Sequence, residues 1–383
     1  MGASVYIHIP FCKSKCTYCD FFSVVCTEPV PDSYIENVLN EAVLRKEEHK
    51  ILSCRTLYIG GGTPSLLTPS QIKKLLAGLQ TILPFEQDAE VTMEANPDDI
   101  TQDLLLAAAD SGVNRLSVGI QAMDDKPLSV VKRRCTRKTN TNALNLIQKY
   151  WLPKKLSFSV DCIAGLPEQT EQSFKTGFKE LIQSGANHIS LYTLTLEEGT
   201  LLYKEVNENK ITLSPDFADD LWLWGRDFLE QNGFAQYEVS NFARTGFECR
   251  HNLTYWNLQD YVGLGAGATG MRNNIRYTNS RNLNKWGLRQ DTEIEELSQS
   301  TLIFEYLMMG FRKLSGIDSR DFFRRFGESV EKYIEPLFGD WVQKKLAVCK
   351  NGRYSFNRDG ILFLNSFLTA LLEQWNKDSL NLE

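Results

Sequence analysis

The chain of 383 residues is conspicuous first for what it lacks. No uninterrupted apolar run approaches the roughly 18–20 residues of a membrane helix, so no integral membrane segment is expected. Charge of one sign is not in excess either. Forty-two Lys and Arg face 48 Asp and Glu for a net charge of −6, and nothing global argues for nucleic acid or an anionic membrane as partner. No internal repeat or low-complexity tract stands out. The opening Met1-Gly2-Ala3-Ser4 carries neither a basic leader nor an apolar signal core, so export is not expected. Tyr6 stands where a myristoylated N-terminus would want Ser or Thr. Histidine is scarce, with only His8, His49, His188 and His251, so any histidine ligand has few candidates.

Cysteine is present in an odd total of nine, which without a signal peptide argues against a disulfide framework and suits a reducing cytoplasm. Three of the nine are crowded together. Cys12, Cys16 and Cys19 form C-x3-C-x2-C just after the alternating apolar run Val5, Ile7, Ile9, which reads as a strand closed by Pro10. The thiols therefore belong on a loop at a strand's C-terminal end. Three adjacent thiolates suit a soft metal centre, and iron–sulfur clusters are held by cysteine thiolates. A 4Fe-4S cube on three ligands keeps one iron open, whereas a structural zinc would want a fourth ligand and usually shows C-x2-C pairs.

The length exceeds one typical domain and accommodates a barrel of about 200–250 residues plus smaller units. The pattern predicts strands at Ser4–Phe11, Thr56–Gly60, Glu90–Glu94, Arg115–Ile120, Leu156–Ile163 and His188–Leu194. Helices are predicted near 32–48, 69–82, 101–111, 139–150, 170–184 and 215–232, with start signals such as Thr68-Pro69. Six strand–helix units imply an α/β fold with parallel strands and right-handed crossovers. Polar and glycine signals recur at the strand ends: Gly60-Gly61-Gly62-Thr63-Pro64, Glu94-Ala95-Asn96-Pro97, Gly119-Ile120-Gln121 and Asp161. That distribution favours a partial (β/α)6 barrel over an open sheet, because barrel sites are built from strand C-termini.

The predicted boundaries are 1–233 for the barrel, 234–290 for accessory strands and loops, and 291–383 for a helical, winged-helix-like C-terminal domain. The latter contains an Asn351-Gly352 hairpin turn. Its basic residues are scattered, which does not favour DNA binding. The basic run Lys132–Lys138 reads as a solvated helix face, and Gly263-Leu264-Gly265-Ala266-Gly267 lacks dinucleotide spacing. The triple glycine lets backbone approach a ligand. Glu94 and Arg133 supply the two charge signs that a zwitterion needs, arginine being suited to a carboxylate. Arg250-His251-Asn252-Leu253-Thr254-Tyr255-Trp256 joins a histidine to two aromatics, a possible axial ligand beside flat surfaces for a macrocycle, although a packed core histidine is the commoner reason for such a pattern.

The cysteine motif with Tyr18 before its third thiol resembles the radical S-adenosylmethionine (SAM) superfamily. Tyr6-Ile7-His8-Ile9-Pro10-Phe11-Cys12 narrows the resemblance to the group of oxygen-independent coproporphyrinogen III oxidases and HemW-type heme chaperones. It implies a 4Fe-4S cluster on Cys12, Cys16 and Cys19, with SAM contacts at Tyr6, Tyr18, Gly61, Gly62, Thr63, Glu94, Gln121, Arg133 and Asp161, and more loosely at Thr195 and Thr269. The H-N-x-x-Y-W segment resembles the heme-associated motif of the chaperones and makes His251 the heme candidate. The oxidases carry a further cysteine where this chain has Phe21, and a longer N-terminal extension, so the chaperone branch is expected. Its partners would be heme and an acceptor hemoprotein, and a homodimer is compatible with it. The alternatives are porphyrinogen decarboxylation by the same cluster and the heme-opening methyl transfer of related heme-utilisation enzymes. Two departures from the family pattern are Cys135, where histidine is usual, and Thr269 in the glycine-rich segment.

Overall fold

A computed structural model describes residues 2–380. Its six central strands are β1 (Gly2–Ile9), β2 (Ser53–Gly61), β3 (Phe85–Ala95), β4 (Arg115–Gln121), β5 (Ser157–Ala164) and β6 (His188–Thr193). They are hydrogen-bonded in that order, every pair parallel. Each crosses to the next through helices, chiefly α1 (Asp32–His49), α2 (Pro69–Ile82), α3 (Gln102–Asp110), α4 (Arg137–Tyr150) and α5 (Glu171–Gln183). Beyond β6 comes α6 (Pro215–Gln231). All six predicted strands and all six predicted helices are present.

Side-chain alternation explains why this sheet curls around a polar interior. One set, including Val5, Ile7, Leu57, Ile59, Val91, Met93, Leu116, Val118 and Val160, is buried in one core with Ile35, Val38, Leu75, Leu105, Ile147 and Phe178 of the helices. The alternate set is Ser4, Tyr6 and His8 on β1, Thr56 and Tyr58 on β2, Glu90, Thr92 and Glu94 on β3, Arg115 and Ser117 on β4, and Ser159 and Asp161 on β5. Those residues bond one another across the interior. Ser159 donates to Ser117 at 2.9 Å, and Tyr58 donates to Glu94 at 2.8 Å. Helix starts are fixed locally: Thr68 and Gln71 cap α2 reciprocally, Thr136 and Thr139 cap α4, and Thr170 and Ser173 cap α5.

Beyond β1 the sheet continues through β7 (Tyr261–Leu264), parallel to β1, then antiparallel β8 (Thr269–Arg272), β9 (Ile275–Thr278), and β10 (Glu293–Glu296) at the edge. The segment expected as loops and strands around His251 is instead a short helix, α7 (Arg250–Trp256). The basic run is not a helix face either. Lys132 has φ of 55°, residues 131–136 form a turn, and α4 begins only at Arg137.

The chain divides into two compact units, Met1–Ala235 with Phe242–His251 and Asp260–Glu295, and Gln236–Asn241 with Asn252–Gln259 and Glu296–Glu383. The stretch 234–290, expected to be separate, is thus shared between them. The second unit has its own core, centred on Phe311, Phe338, Phe356 and Phe367. Its hairpin pairs β12 (Ala347–Lys350) with β13 (Arg353–Phe356), which also pairs with β11 (Ile317–Asp318). Asn351 and Gly352, with φ of 54° and 73°, make the turn, the left-handed pair a two-residue hairpin requires. No helix among the described residues is long and apolar enough to cross a membrane.

Candidate functional site

The C-terminal ends of β1 to β5 enclose a cavity of about 180 Å³. Cys12, Cys16 and Cys19 line it together with Tyr18, Gly61, Gly62, Thr63, Glu94, Gln121, Arg133 and Asp161. Sequence positions spread over 150 residues are thus brought to one place by the parallel topology. The three thiols share the cavity without converging on a point: among the described residues no three His, Cys, Asp or Glu groups are placed to hold a single metal ion.

The cysteine loop is tied down at several places. Thr17 donates its backbone N–H to Val131 at 3.1 Å, and Leu202 donates to Thr17 at 2.8 Å. His8 secures the far end, with Nε2 3.0 Å from the Phe22 carbonyl oxygen and the ring stacked on Phe22. Because that carbonyl only accepts, Nε2 carries the proton and Nδ1 accepts from the Tyr6 hydroxyl at 2.9 Å. Burial holds the His8 imidazolium below its usual pKa, consistent with this neutral tautomer.

Around the thiols stand donors and glycines. Thr63 donates to Cys12 Sγ at 3.4 Å, and Arg133 Nη1 donates to Cys16 Sγ at 3.7 Å. A Cβ on Gly62 would lie 2.7 Å from the Phe11 carbonyl and 3.0 Å from Cys12 Sγ, so only glycine leaves this approach open. Gly61 has φ of +116° and donates its N–H to Glu94 at 3.1 Å.

The charges are arranged by sign. Arg133, half-buried, is held by Asn96 Oδ1 at 2.7 Å and by the Gly119 carbonyl, while its buried Nε has no hydrogen-bond partner. Glu94 is half-buried, and desolvation pushes its carboxyl up to about 7 against the Tyr58 and Gly61 hydrogen bonds. Asp161 is raised by the same cause, tempered by Ser190, Arg115 and Ser117. An orphaned guanidinium donor suits a carboxylate, and two half-buried carboxyls lining the same cavity suit an ammonium. The residues present therefore fit a three-thiol cluster with an amino acid zwitterion beside it.

Tyr6 and His251 are the predicted residues that do not line this cavity, and Thr195 and Thr269 also lie outside its lining. Tyr6 lies beneath it, stacked on Tyr58. His251 sits toward the N-terminal ends of the strands and is only 1% exposed. Its Nδ1 is 2.9 Å from Thr56 Oγ1, its ring stacks on Tyr58 at 5.2 Å, and burial lowers its pKa to about 3. Cys135 is packed in a small apolar cluster with Leu128, Val131 and Ile163. The basic run hides the site's arginine, while Arg134 pairs with Asp99 at 2.8 Å. Sequence reasoning missed Ser117 as a site residue, although it alternates on β4 with Gly119 and Gln121, and it read Asn96 only as part of a strand-end motif, not as the group that orients Arg133.

A parallel partial barrel with three thiols at its strand ends is the architecture of the radical SAM superfamily, whose profile matches residues 6–181. Over 97% of this chain and 98% of theirs, it is 34% identical to the heme chaperone HemW of Lactococcus lactis and 33% identical to that of Escherichia coli. The chain belongs to the HemW heme chaperone family. Its fold matches the solved coproporphyrinogen III oxidase (HemN) from Escherichia coli, a radical SAM enzyme, with a TM-score of 0.81 over 97% of this chain and 90% of that one, at 21% identity.

Proposed function

We propose that this chain is a cytoplasmic heme chaperone that carries a 4Fe-4S cluster and SAM, binds heme, and passes it to acceptor hemoproteins. The observation that carries the reading is the similarity over nearly the full length of curated HemW proteins. The cavity supports it with a matching donor set.

In this reading Cys12, Cys16 and Cys19 hold the cluster, with Thr63 and Arg133 donating toward the first two thiols. Arg133 would hold the SAM carboxylate, and Glu94 and Asp161 would hold its ammonium. Gly61 and Gly62 keep the wall open, and Tyr18 and Gln121 border the same space. When bound, a reduced cluster and SAM supply one-electron chemistry. Phe21, where the oxidases have cysteine, lines the cavity, which disfavours porphyrinogen decarboxylation. Heme ligation by His251 requires its ring to leave Thr56 and Tyr58.

The test is anaerobic cluster reconstitution followed, on one sample, by hemin titration and a SAM-dependent coproporphyrinogen III assay. Saturable hemin uptake without conversion is expected. Conversion without hemin uptake would make the chain an oxidase.

A further inference from the structure

After β3 the chain makes a single 3-10 turn, Pro97–Asp99. Asp99 does not line the cluster cavity, yet its side chain is only 4% exposed. An aspartate is that deeply buried only where its charge is matched. The matching groups come from three segments, 86, 35 and 34 positions away. Lys13 Nζ donates to Oδ1 at 3.0 Å, Arg134 Nη2 donates to Oδ2 at 2.8 Å, and Ser65 Oγ donates to Oδ2 at 3.4 Å.

Each donor stands beside a group of the site in the chain. Lys13 follows Cys12, Arg134 follows Arg133, and Ser65 comes just after Thr63 and Pro64, all of which line the cavity. One carboxylate thus joins the cysteine loop, the glycine segment and the turn that presents the arginine. The rest of its own turn extends the arrangement. The Ser65 hydroxyl accepts from the Asn96 backbone N–H at 2.9 Å, and Asn96 Nδ2 donates to Asp98 at 2.9 Å. That bond leaves the Asn96 amide oxygen facing Arg133 Nη2, 2.7 Å away. Arg133 is therefore held through its own guanidinium by Asn96 and through its neighbour by Asp99.

A pair with Lys13, which is 53% exposed, is weakly stabilising by itself. What the three ties supply together is geometry, and a guanidinium must be aimed closely to grip a carboxylate. We propose that Asp99 is a positioning residue for the cluster and SAM, holding the Cys12 end of the cysteine loop and the Arg133 guanidinium in register with each other. It touches neither group and acts through Lys13, Ser65 and Arg134. The assignment rests on the cluster and SAM reading above.

The experiment uses the full chain reconstituted anaerobically, with iron per chain, SAM affinity by isothermal titration, and low-temperature EPR of the reduced cluster with and without SAM. Asp99→Ala is expected to weaken SAM binding per cluster about tenfold and to broaden the SAM-dependent EPR signal while the far-ultraviolet spectrum stays folded. Asp99→Asn keeps the shape and the Ser65 bond, and its effect should be smaller. Two variants remove one tie each and keep the question open to test if Asp99→Ala folds poorly. Arg134→Ala should weaken SAM binding at unchanged iron content, and Lys13→Ala should lose iron faster to a chelator. Combining Arg134→Ala with Asp99→Ala should weaken SAM binding no further than Asp99→Ala alone. Wild-type SAM affinity and EPR in Arg134→Ala, together with wild-type iron retention in Lys13→Ala, would overturn the role of Asp99 and leave the cluster and SAM reading intact. Failure of the unmodified chain to take up a cluster and SAM would overturn that reading as well.

Discussion

Glu94 is asked to be an anion in a place where burial opposes it. Its carboxyl is raised from 4.5 to about 7 in the folded chain. Between those values the folded state binds the extra proton, so stability falls as pH rises through that window, by on the order of 3 kcal/mol once the carboxyl is ionised. Glu238, in the second unit, is raised to about 7 by burial as well and adds to the same slope. The difference between wild type and Glu94→Gln isolates the first contribution. Melting curves from pH 4.5 to 8 should show a shallower decline for the variant, and equal slopes would refute the assignment. The same variant should bind SAM more weakly at pH 8, as isothermal titration would register, because an amide offers an ammonium no charge. Gly62 makes the opposite case, a position where nothing must be added. With its Cβ 2.7 Å from the Phe11 carbonyl, Gly62→Ala must shift backbone beside Cys12, and reconstituted iron per chain should fall while the far-ultraviolet spectrum stays folded.

At the level of elements, strands and barrel helices were legible because their patterns are local. Period-two alternation marked β1 to β6, and Thr68-Pro69 marked the start of α2. What escaped was fixed from a distance. The segment around His251 is rich in aromatic and polar residues and has no local helix signature. Its start is set by Glu90, whose carboxylate accepts from the backbone N–H groups of Arg250 at 2.9 Å and His251 at 2.8 Å, across about 160 positions. Arg133 was hidden in a basic run for a similar reason, since its inward direction depends on the turn at Lys132 and on Asn96. Glu90→Ala should therefore cost about 1–3 kcal/mol through two unsatisfied donors in a buried setting. Chemical denaturation measures this, and a cost near zero would show that solvent replaces the carboxylate.

For the molecule as a whole, fold and function part company. The HemN match at 21% identity is a match of fold, while this chain belongs to a chaperone family, so the scaffold by itself does not decide the function. The division into two units has its own physical consequence. Phe367 packs against Phe311, Trp341 and Phe356 with ring centres 4.9–5.2 Å apart, and every one of these partners belongs to the second unit's core. The strand residues Val5, Leu57, Val118 and Val160 belong to a different core. Phe367→Ala leaves a void worth about 3–5 kcal/mol, and that loss falls on contacts confined to one core. Hydrogen exchange followed by mass spectrometry should then show faster exchange in peptides covering 303–371, with β1, β2, β4 and β5 retaining wild-type protection. Equal acceleration in those barrel strands would mean that the two cores unfold as one cooperative body, and that damage to the C-terminal unit reaches the cluster site directly.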